Sequence, residues 1–554
     1  MIAVSHVCSR QCFPIIESVS FVSKPVVLIA EELSPATMDV LGTDYEIRHT
    51  DGADRDQLLP ALADAEAVLV RSATTIDAEA IKAAKKLKVI ARAGVGLDNV
   101  DTQAATEAGV MVVNAPTSNI ISAAELTCGH ILAAARHIAP ANQSLKAGEW
   151  KRSAFKGIEL YEKTLGIIGL GRIGSLVAER MKAFDMKIVA YDPYVTAARA
   201  QKMGAHLVSL DELLETSDFV TIHMPRTPET MGMISDEQFA MMKDSAYVIN
   251  VARGGLIDED ALARALEQKL IAGAGIDVFV NEPAKDLPFF EHDTATVTPH
   301  LGASTEEAQE KAGVAVAKSV RLALADELVP DAVNVAGGVI DPYVRPGIPL
   351  TEKLGRILSA VMKGVSVSAI EVEVAGELAE KNVDSLKLAA LKGVFTDVVS
   401  GHVSYVNAPV LAEGRGIETR LSTTLDSPHY RNTITVSAVS ADGQEFSVTG
   451  TLTGPKQIEK LVGINDYDFE VAIADHMLVL EYQDRPGVIG TMGMQLGDRN
   501  INIATMDVAL RSDGAKALAV LTLDSALPAG LLEQDGEAIH AAKTAEVDLE
   551  ETTR

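Results

Sequence analysis

The sequence predicts an α/β chain: two doubly wound parallel-sheet domains, then an α+β domain, then a small α/β sandwich. Three observations carry this reading. Short Val- and Ile-rich strands alternate with helical patterns from residue 25 to about 325, the signature of βαβ units. The pattern breaks at VPDAVNVAGG, Val329–Gly338, where the Pro and Gly spacing reads as a linker. Beyond residue 340 the apolar residues recur with a two-residue period, in Val365–Gly376, Thr433–Ala438 and Glu445–Thr453. A chain of 554 residues is also too long for one core.

The first convincing strand is Val26–Ala30. Residues 1–23 carry no basic stretch followed by a clean apolar core, so they read as a disordered extension, or as a start site placed too early, rather than a signal peptide. Ala67–Val70, Val89–Ala91 and Met111–Asn114 complete a first strand series. A long helix beginning near Ser122 separates it from a second series: Thr164–Ile168, Lys187–Tyr191, Phe219–His223, Tyr247–Asn250, Gly273–Asp277 and Thr296–Thr298. Two series imply two sheets with a cleft between them. Residues 340–470 form the α+β unit. From about 474 to 554 the order is strand, helix (Val488–Asp498), strand (Ile501–Leu510), strand (Ala517–Leu523) and a final helix.

Bulk properties narrow the function. A formal charge of −28 argues against nucleic acid and anionic membrane as partners. No apolar run is long enough for a membrane span. The three cysteines, Cys8, Cys12 and Cys128, are no disulfide framework and suggest a reducing cytoplasm. Nothing in the sequence calls for a metal.

TLGIIGLGRIG places Gly169-Leu-Gly171-Arg172-Ile173-Gly174 between a strand and a helix, and a second strand ends at Asp192. In that context the glycines permit a tight turn and close approach to a pyrophosphate, and the helix N-terminus offers free N–H groups. Asp192, 18 residues beyond Gly174 by number, suits the adenosine ribose and would repel a 2′-phosphate. NAD is therefore the expected cofactor, on a Rossmann-like domain.

Three later stretches carry chemistry. VINVARGGLIDED, GIDVFVNEP and VTPHLGAST place Arg253, Glu282 and His300 just beyond three strands. Ligands of open α/β sheets bind at the carboxyl ends of strands. Hydride transfer from an alcohol carbon needs a base for the hydroxyl proton, and His is the usual one. A carboxylate can fix its tautomer, and an Arg can pair with a substrate carboxylate.

Together GLGRIG, ARGGLID, the Glu-Pro after a strand and TPHLGAST resemble the D-isomer-specific 2-hydroxyacid dehydrogenases. The resemblance implies Arg253, Glu282 and His300 as the catalytic set. It implies cofactor contacts from Gly169, Gly171, Arg172, Ile173, Gly174, Asp192, His223, Thr227, Ala252, Asp277 and Gly302. It also implies a substrate domain split in sequence, 25–120 plus 305–335, around a nucleotide domain at 121–304. A family member without phosphate specificity and a catalytically silent NAD-sensing regulator stay open as alternatives. Formate oxidation does not, because those relatives carry Gln where Glu282 stands.

LVRSATTID (69–77), RAGVGLDNVD (92–101) and NAPTSNIISAAE (114–125) resemble the branch of that family that converts 3-phosphoglycerate to 3-phosphohydroxypyruvate at the entry to serine biosynthesis. A carboxylate and a phosphate need local cations in an acidic chain. Arg71 and Ser72, Gly94 and Val95, Asn119 and, by resemblance, Arg152 are the expected substrate contacts.

Residues 340–470 resemble that branch's intervening domain. Lys456 and Lys460 raise an anion site there, opposed by the acidic NDYDFE at 465–470. EYQDRPGVIG, 481–490, resembles the strand-to-helix loop of an ACT domain, a ferredoxin-like βαββαβ module, at 474–554. The resemblance implies Tyr482, Asp484 and Asn502 as contacts to an L-serine effector, and a homotetramer with contacts between ACT domains.

Overall fold

The computed structural model describes residues 24–335, 340–399, 403–511, 516–528 and 541–550. The expected extension at 1–23, with Cys8 and Cys12, and the expected final helix after Leu523 lie outside these. Four sheets follow one another along the chain.

The first sheet is parallel, in the spatial order Glu46–His49, Val26–Ile29, Ala67–Val70, Val89–Arg92, Met111–Asn114. Its central strands are buried on both faces, as their unbroken Val and Ile content requires. Glu46–His49 is an edge strand that the apolar reading does not contain; Glu46, Arg48 and His49 are polar, and none of its residues is fully buried. Helix Glu306–Leu324 returns to this sheet and packs Ala312, Val316 and Val320 on it. Val333 N–H then donates to the Val112 carbonyl at 2.8 Å. Residues 305–335 thus rejoin the first sheet after a long excursion.

That excursion is the second sheet, also parallel. Its order is Ala295–Val297, Gly273–Ile276, Tyr247–Asn250, Phe219–Ile222, Thr164–Ile168, Lys187–Tyr191, His206–Leu207. The strand order reverses direction at Thr164–Ile168, the strand that feeds the glycine turn. Among the described residues no helix is long and apolar enough to cross a membrane.

The third sheet has six strands, in the order Glu418–Thr424, Val367–Gly376, Asn432–Ser440, Glu445–Thr453, Ile458–Ile464, Tyr467–Ala472. Its first pair is parallel and the rest antiparallel, so the sheet expected to be antiparallel is mixed. Helices Gly347–Val361 and Asp384–Thr396 cover one face. They approach closely where Gly393 meets the Glu352 carbonyl, contact that a side chain would block.

The fourth sheet is antiparallel, in the order Ile503–Leu510, Lys516–Leu523, His476–Gln483, Ala541–Asp548, with helix Val488–Gly497 on one face. These described elements follow a ferredoxin-like β-α-β-β-β course. Both faces are covered. Leu478, Leu480 and Tyr482 pack under the helix with Val488 and Met492. Met477, Val479, Val520 and Val547 join the core of the third sheet's helices. The strand Ile503–Leu510 also lies beside Tyr467–Ala472 of the third sheet, with Glu470 N–H donating to Asp507 at 3.3 Å. The last two units therefore share one core.

Candidate active site

Tyr247–Asn250, Gly273–Ile276 and Ala295–Val297 are neighbours in the second sheet, so the residues just past them converge. His300 Nδ1 lies 2.6 Å from Glu282 Oε2. A proton on Nδ1 donated to the carboxylate leaves the Nε2 lone pair free as a base. Both side chains keep access to solvent, 45% and 35% exposed. Glu282 Oε1 also accepts from Phe279 N–H at 3.0 Å. Burial opposes ionisation of Glu282. The His300 and Phe279 hydrogen bonds and the charges of His300 and Arg253 outweigh it, and hold the carboxyl below its ordinary value.

The His300 loop is built on Asp277, which is fully buried. Its carboxylate accepts from Leu301 N–H at 2.8 Å, Gly302 N–H at 2.9 Å and the Thr298 hydroxyl at 2.5 Å. His300 itself adopts a left-handed φ of 54°, and its N–H donates to the Asp277 carbonyl at 2.8 Å. A non-glycine residue held there is the kind of local strain that a surrounding network sustains at functional sites.

Arg253 follows Asn250, whose side chain ties the turn: Asn250 Nδ2 donates to the Arg253 carbonyl at 2.9 Å and Oδ1 accepts from Ala252 N–H at 3.0 Å. A Cβ built on Gly96 would stand 3.0 Å from an Arg253 terminal nitrogen, so the guanidinium lies against the Gly94–Gly96 loop of the first sheet. The Asn114 side chain holds that loop by donating to the Val95 carbonyl at 2.6 Å. Ser122 Oγ donates to the Gly302 carbonyl at 2.8 Å, which brings the start of helix Ile120–Ala135, where Asn119 is the cap residue, to the His300 loop. The structure therefore gathers Arg253, Glu282, His300, Gly94, Val95 and Asn119 around one cleft between two sheets.

Arg71 and Ser72 leave the strand Ala67–Val70 on the same rim, with Val70 in register with Arg92 and Arg92 with Asn114. Arg92 is the residue that the sequence reading misses. Burial and the nearby charge of Arg253 pull its pKa below the ordinary arginine value, with Arg71 adding to the effect and Asp98 and Glu31 opposing it. Its buried Nε has no partner among the described residues. Arg92 thus adds a third guanidinium, with an unpartnered buried nitrogen among the described residues, beside Arg71 and Arg253. The signal that would have found it is the rule that found Arg253: an arginine at a strand exit. Arg152 lies on the exposed turn Arg152–Phe155, and no hydrogen bond or ion pair joins it to this pocket among the described residues.

The nucleotide turn fits a dinucleotide. Gly169 has φ 96°, and a Cβ on it would come within 2.6 Å of the His223 carbonyl; a Cβ on Gly174 would run into the Gly169 carbonyl. Gly171 opens onto empty space at the cap of helix Arg172–Lys182, and Ile173 lies in its first turn. Asp192 closes the turn, accepting from Leu170 N–H at 2.8 Å. His223 sits beside Thr221 Oγ1 at 3.1 Å. Although the residue keeps some accessible surface, desolvation pushes its imidazole down to about 4, so it is neutral at physiological pH. Thr227 N–H donates to Thr230 Oγ1 at 2.8 Å, fixing the loop after that strand. Cys128, by contrast, is buried with its thiol pushed up to about 11, and so is chemically quiet.

In the C-terminal unit Asp484 and Asn502 are exposed. Tyr482, expected as an open effector contact, is instead 2% exposed. Its strand position puts it on the face of Leu478 and Leu480, and its ring is core. Burial and then the charge of Asp484 raise its hydroxyl pKa. Lys460 is paired with Glu470, which removes half of the expected anion pair in the third sheet.

A glycine-cradled dinucleotide turn facing an Arg and a Glu–His pair defines a 2-hydroxyacid dehydrogenase of the D-isomer-specific kind. The description "D-isomer specific 2-hydroxyacid dehydrogenase, NAD binding domain" matches residues 128–302, and "D-3-phosphoglycerate dehydrogenase intervening domain" matches 342–465. A D-3-phosphoglycerate dehydrogenase of Mycobacterium tuberculosis is 49% identical over 527 residues, 95% of this chain and 100% of the relative. One of Methanocaldococcus jannaschii is 42% identical, covering 94% and 99%. Among solved structures, a glyoxylate reductase from Paecilomyes thermophila matches 56% of this chain and 98% of its own at 31% identity, TM-score 0.51. The chain belongs to the D-3-phosphoglycerate dehydrogenases, NAD-dependent enzymes of the D-isomer-specific 2-hydroxyacid dehydrogenase family.

Proposed function

We propose that this chain oxidises C2 of 3-phospho-D-glycerate to give 3-phosphohydroxypyruvate, as the first step of L-serine biosynthesis in the cytoplasm. The observation that carries the reading is the His300–Glu282 pair at 2.6 Å, open to the cleft beside Arg253. NAD, when bound on the Gly169–Gly174 turn and Asp192, accepts the hydride that leaves C2. His300 Nε2 takes the C2 hydroxyl proton. The Glu282 carboxylate stabilises the imidazolium that results and holds the ring in orientation. Arg253 and the N–H groups of the Gly94–Gly96 loop hold the substrate carboxylate, and Asn119 adds a neutral donor. Arg71 and Ser72 take the phosphate, with Arg92 between the two anionic ends. Closure of the two sheets over the cleft excludes water.

The same reading makes the C-terminal unit an ACT domain that senses L-serine. Asp484 accepts from the ammonium, the N–H groups at the start of helix Val488–Gly497 receive the carboxylate, and Asn502 closes the site. The exposed Ile489 and Met494 of that helix offer an apolar surface for a second copy in a homotetramer, since the sheet's other face and its Ile503–Leu510 edge are already covered. Arg152 stays a proposed phosphate contact on an exposed turn. Steady-state rates with and without L-serine test the regulatory part. Serine is expected to lower the rate of the parent enzyme and to leave Asp484→Ala unaffected. Equal inhibition of both would remove the sensor.

A further inference from the structure

The loop Arg71–Thr74 is held from outside by two side chains. Glu31, just past the strand Val26–Ile29, accepts from Arg71 N–H at 2.8 Å and Thr74 N–H at 2.9 Å through Oε1, and from Ala73 N–H at 3.3 Å through Oε2. Asn99 Nδ2 donates to the Arg71 carbonyl at 2.6 Å and the Thr74 carbonyl at 2.5 Å. Between them they saturate the amide N–H groups of residues 71, 73 and 74 and two of the loop's carbonyls. Ser72 is the exception: its N–H and its hydroxyl have no protein partner among the described residues, and the residue is exposed. The Glu31 carboxylate thus fills the concavity that these successive N–H groups make, which leaves the Ser72 N–H and hydroxyl as the loop's remaining donors beside the Arg71 side chain.

We propose that Glu31 is a positioning residue for phosphate specificity. It engages three neighbouring N–H groups so that the Ser72 N–H and hydroxyl and the Arg71 guanidinium present one fixed anion site. A carboxylate serves where an anion must bind nearby because it does not reach the substrate: its two oxygens are occupied by the loop. This rests on the reading of Arg71 and Ser72 as the phosphate contacts. Glu31 also borders a cavity of about 560 Å³ lined by His49, Thr50 and Arg71, so the loop has room to shift when the clasp is removed.

The test compares 3-phosphoglycerate with D-glycerate, which lacks the phosphate, in the full chain. Glu31→Ala is expected to raise KM for 3-phosphoglycerate about tenfold, the cost of unfixing a binding loop, with kcat and the KM for NAD little changed. Its kcat/KM on D-glycerate should barely move, so the preference for the phosphorylated substrate collapses. Glu31→Gln keeps the size and one acceptor oxygen and should fall between. An equal loss on both substrates, or no loss on either, overturns the assignment. Arg71→Ala separates the two layers. A raised KM in Arg71→Ala with none in Glu31→Ala removes only the clasp; an unchanged KM in Arg71→Ala removes the phosphate reading beneath it.

Discussion

The cleft between the first two sheets and the junction between the catalytic part and the last two units treat charge in opposite ways. At the cleft the charges of Arg253 and Arg71 act on Arg92, opposed by Asp98 and Glu31, and Arg92 has a buried nitrogen without a partner among the described residues. At the junction the buried cation is fully answered. Lys392, with 6% of its side chain exposed, pairs with Asp326 and with Glu352 at 3.0 Å and lies 4.4 Å over the Tyr405 ring, while the Tyr405 hydroxyl donates to Glu352 at 2.7 Å. Arg356 likewise donates to the carbonyls of Asp548 and Leu549 and pairs with Asp397. Unanswered charge marks where an anionic ligand belongs; answered charge marks where elements of one chain are joined. Asp326 lies two residues past helix Glu306–Leu324, which starts shortly after His300, so the junction is tied to the catalytic loop through a single rigid helix.

The contrast has consequences of graded size. Lys392→Met leaves the part-buried Glu352 and the buried Tyr405 hydroxyl without their cation, and should cost about 2 kcal/mol of stability. Denaturant unfolding measures this, and a loss below about 1 kcal/mol would show that the junction is not an answered charge. Chemistry in the folded protein should persist. Glu282→Gln should do the reverse: lower kcat on the order of a hundredfold with unfolding little altered. A smaller effect concerns His223. Its folded pKa of about 4 lies below an unfolded value of about 6.5, so the unfolded chain takes up the proton first. Stability is fully present above about pH 6.5 and falls as pH drops toward 4. Thermal melts of His223→Asn across that window should show a shallower decline than the parent.

The legibility of the sequence followed the same division. Arg253, Glu282 and His300 could be read because each follows a short apolar strand of one series, and strand exits of a parallel sheet meet by geometry. Arg92 stands one residue past the expected strand Val89–Ala91, at a strand exit like Arg253, but no second chemical group beside it in the sequence pointed to it; the structure extends the strand to include it. Glu46–His49 escaped because an edge strand can be charged and half-exposed. Tyr482 was read from its place in a motif, and the burial of its ring was legible separately in its two-residue spacing from Leu478 and Leu480. Lys392 and Asp326 stand 66 positions apart, and Glu31 lies 40 from Arg71. No local period encodes such pairs; only the packing of elements brings them together.

The central claim is that the strand-exit Glu–His pair performs the proton transfer of 3-phosphoglycerate oxidation. His300→Asn tests it most directly, with NADH formation followed from 3-phosphoglycerate and NAD at saturation. The parent enzyme should produce NADH. The variant should be slower by on the order of a thousandfold while still binding NAD, as read by quenching of protein fluorescence. A parent enzyme that forms no NADH, or a variant that forms it at a similar rate, would contradict the account.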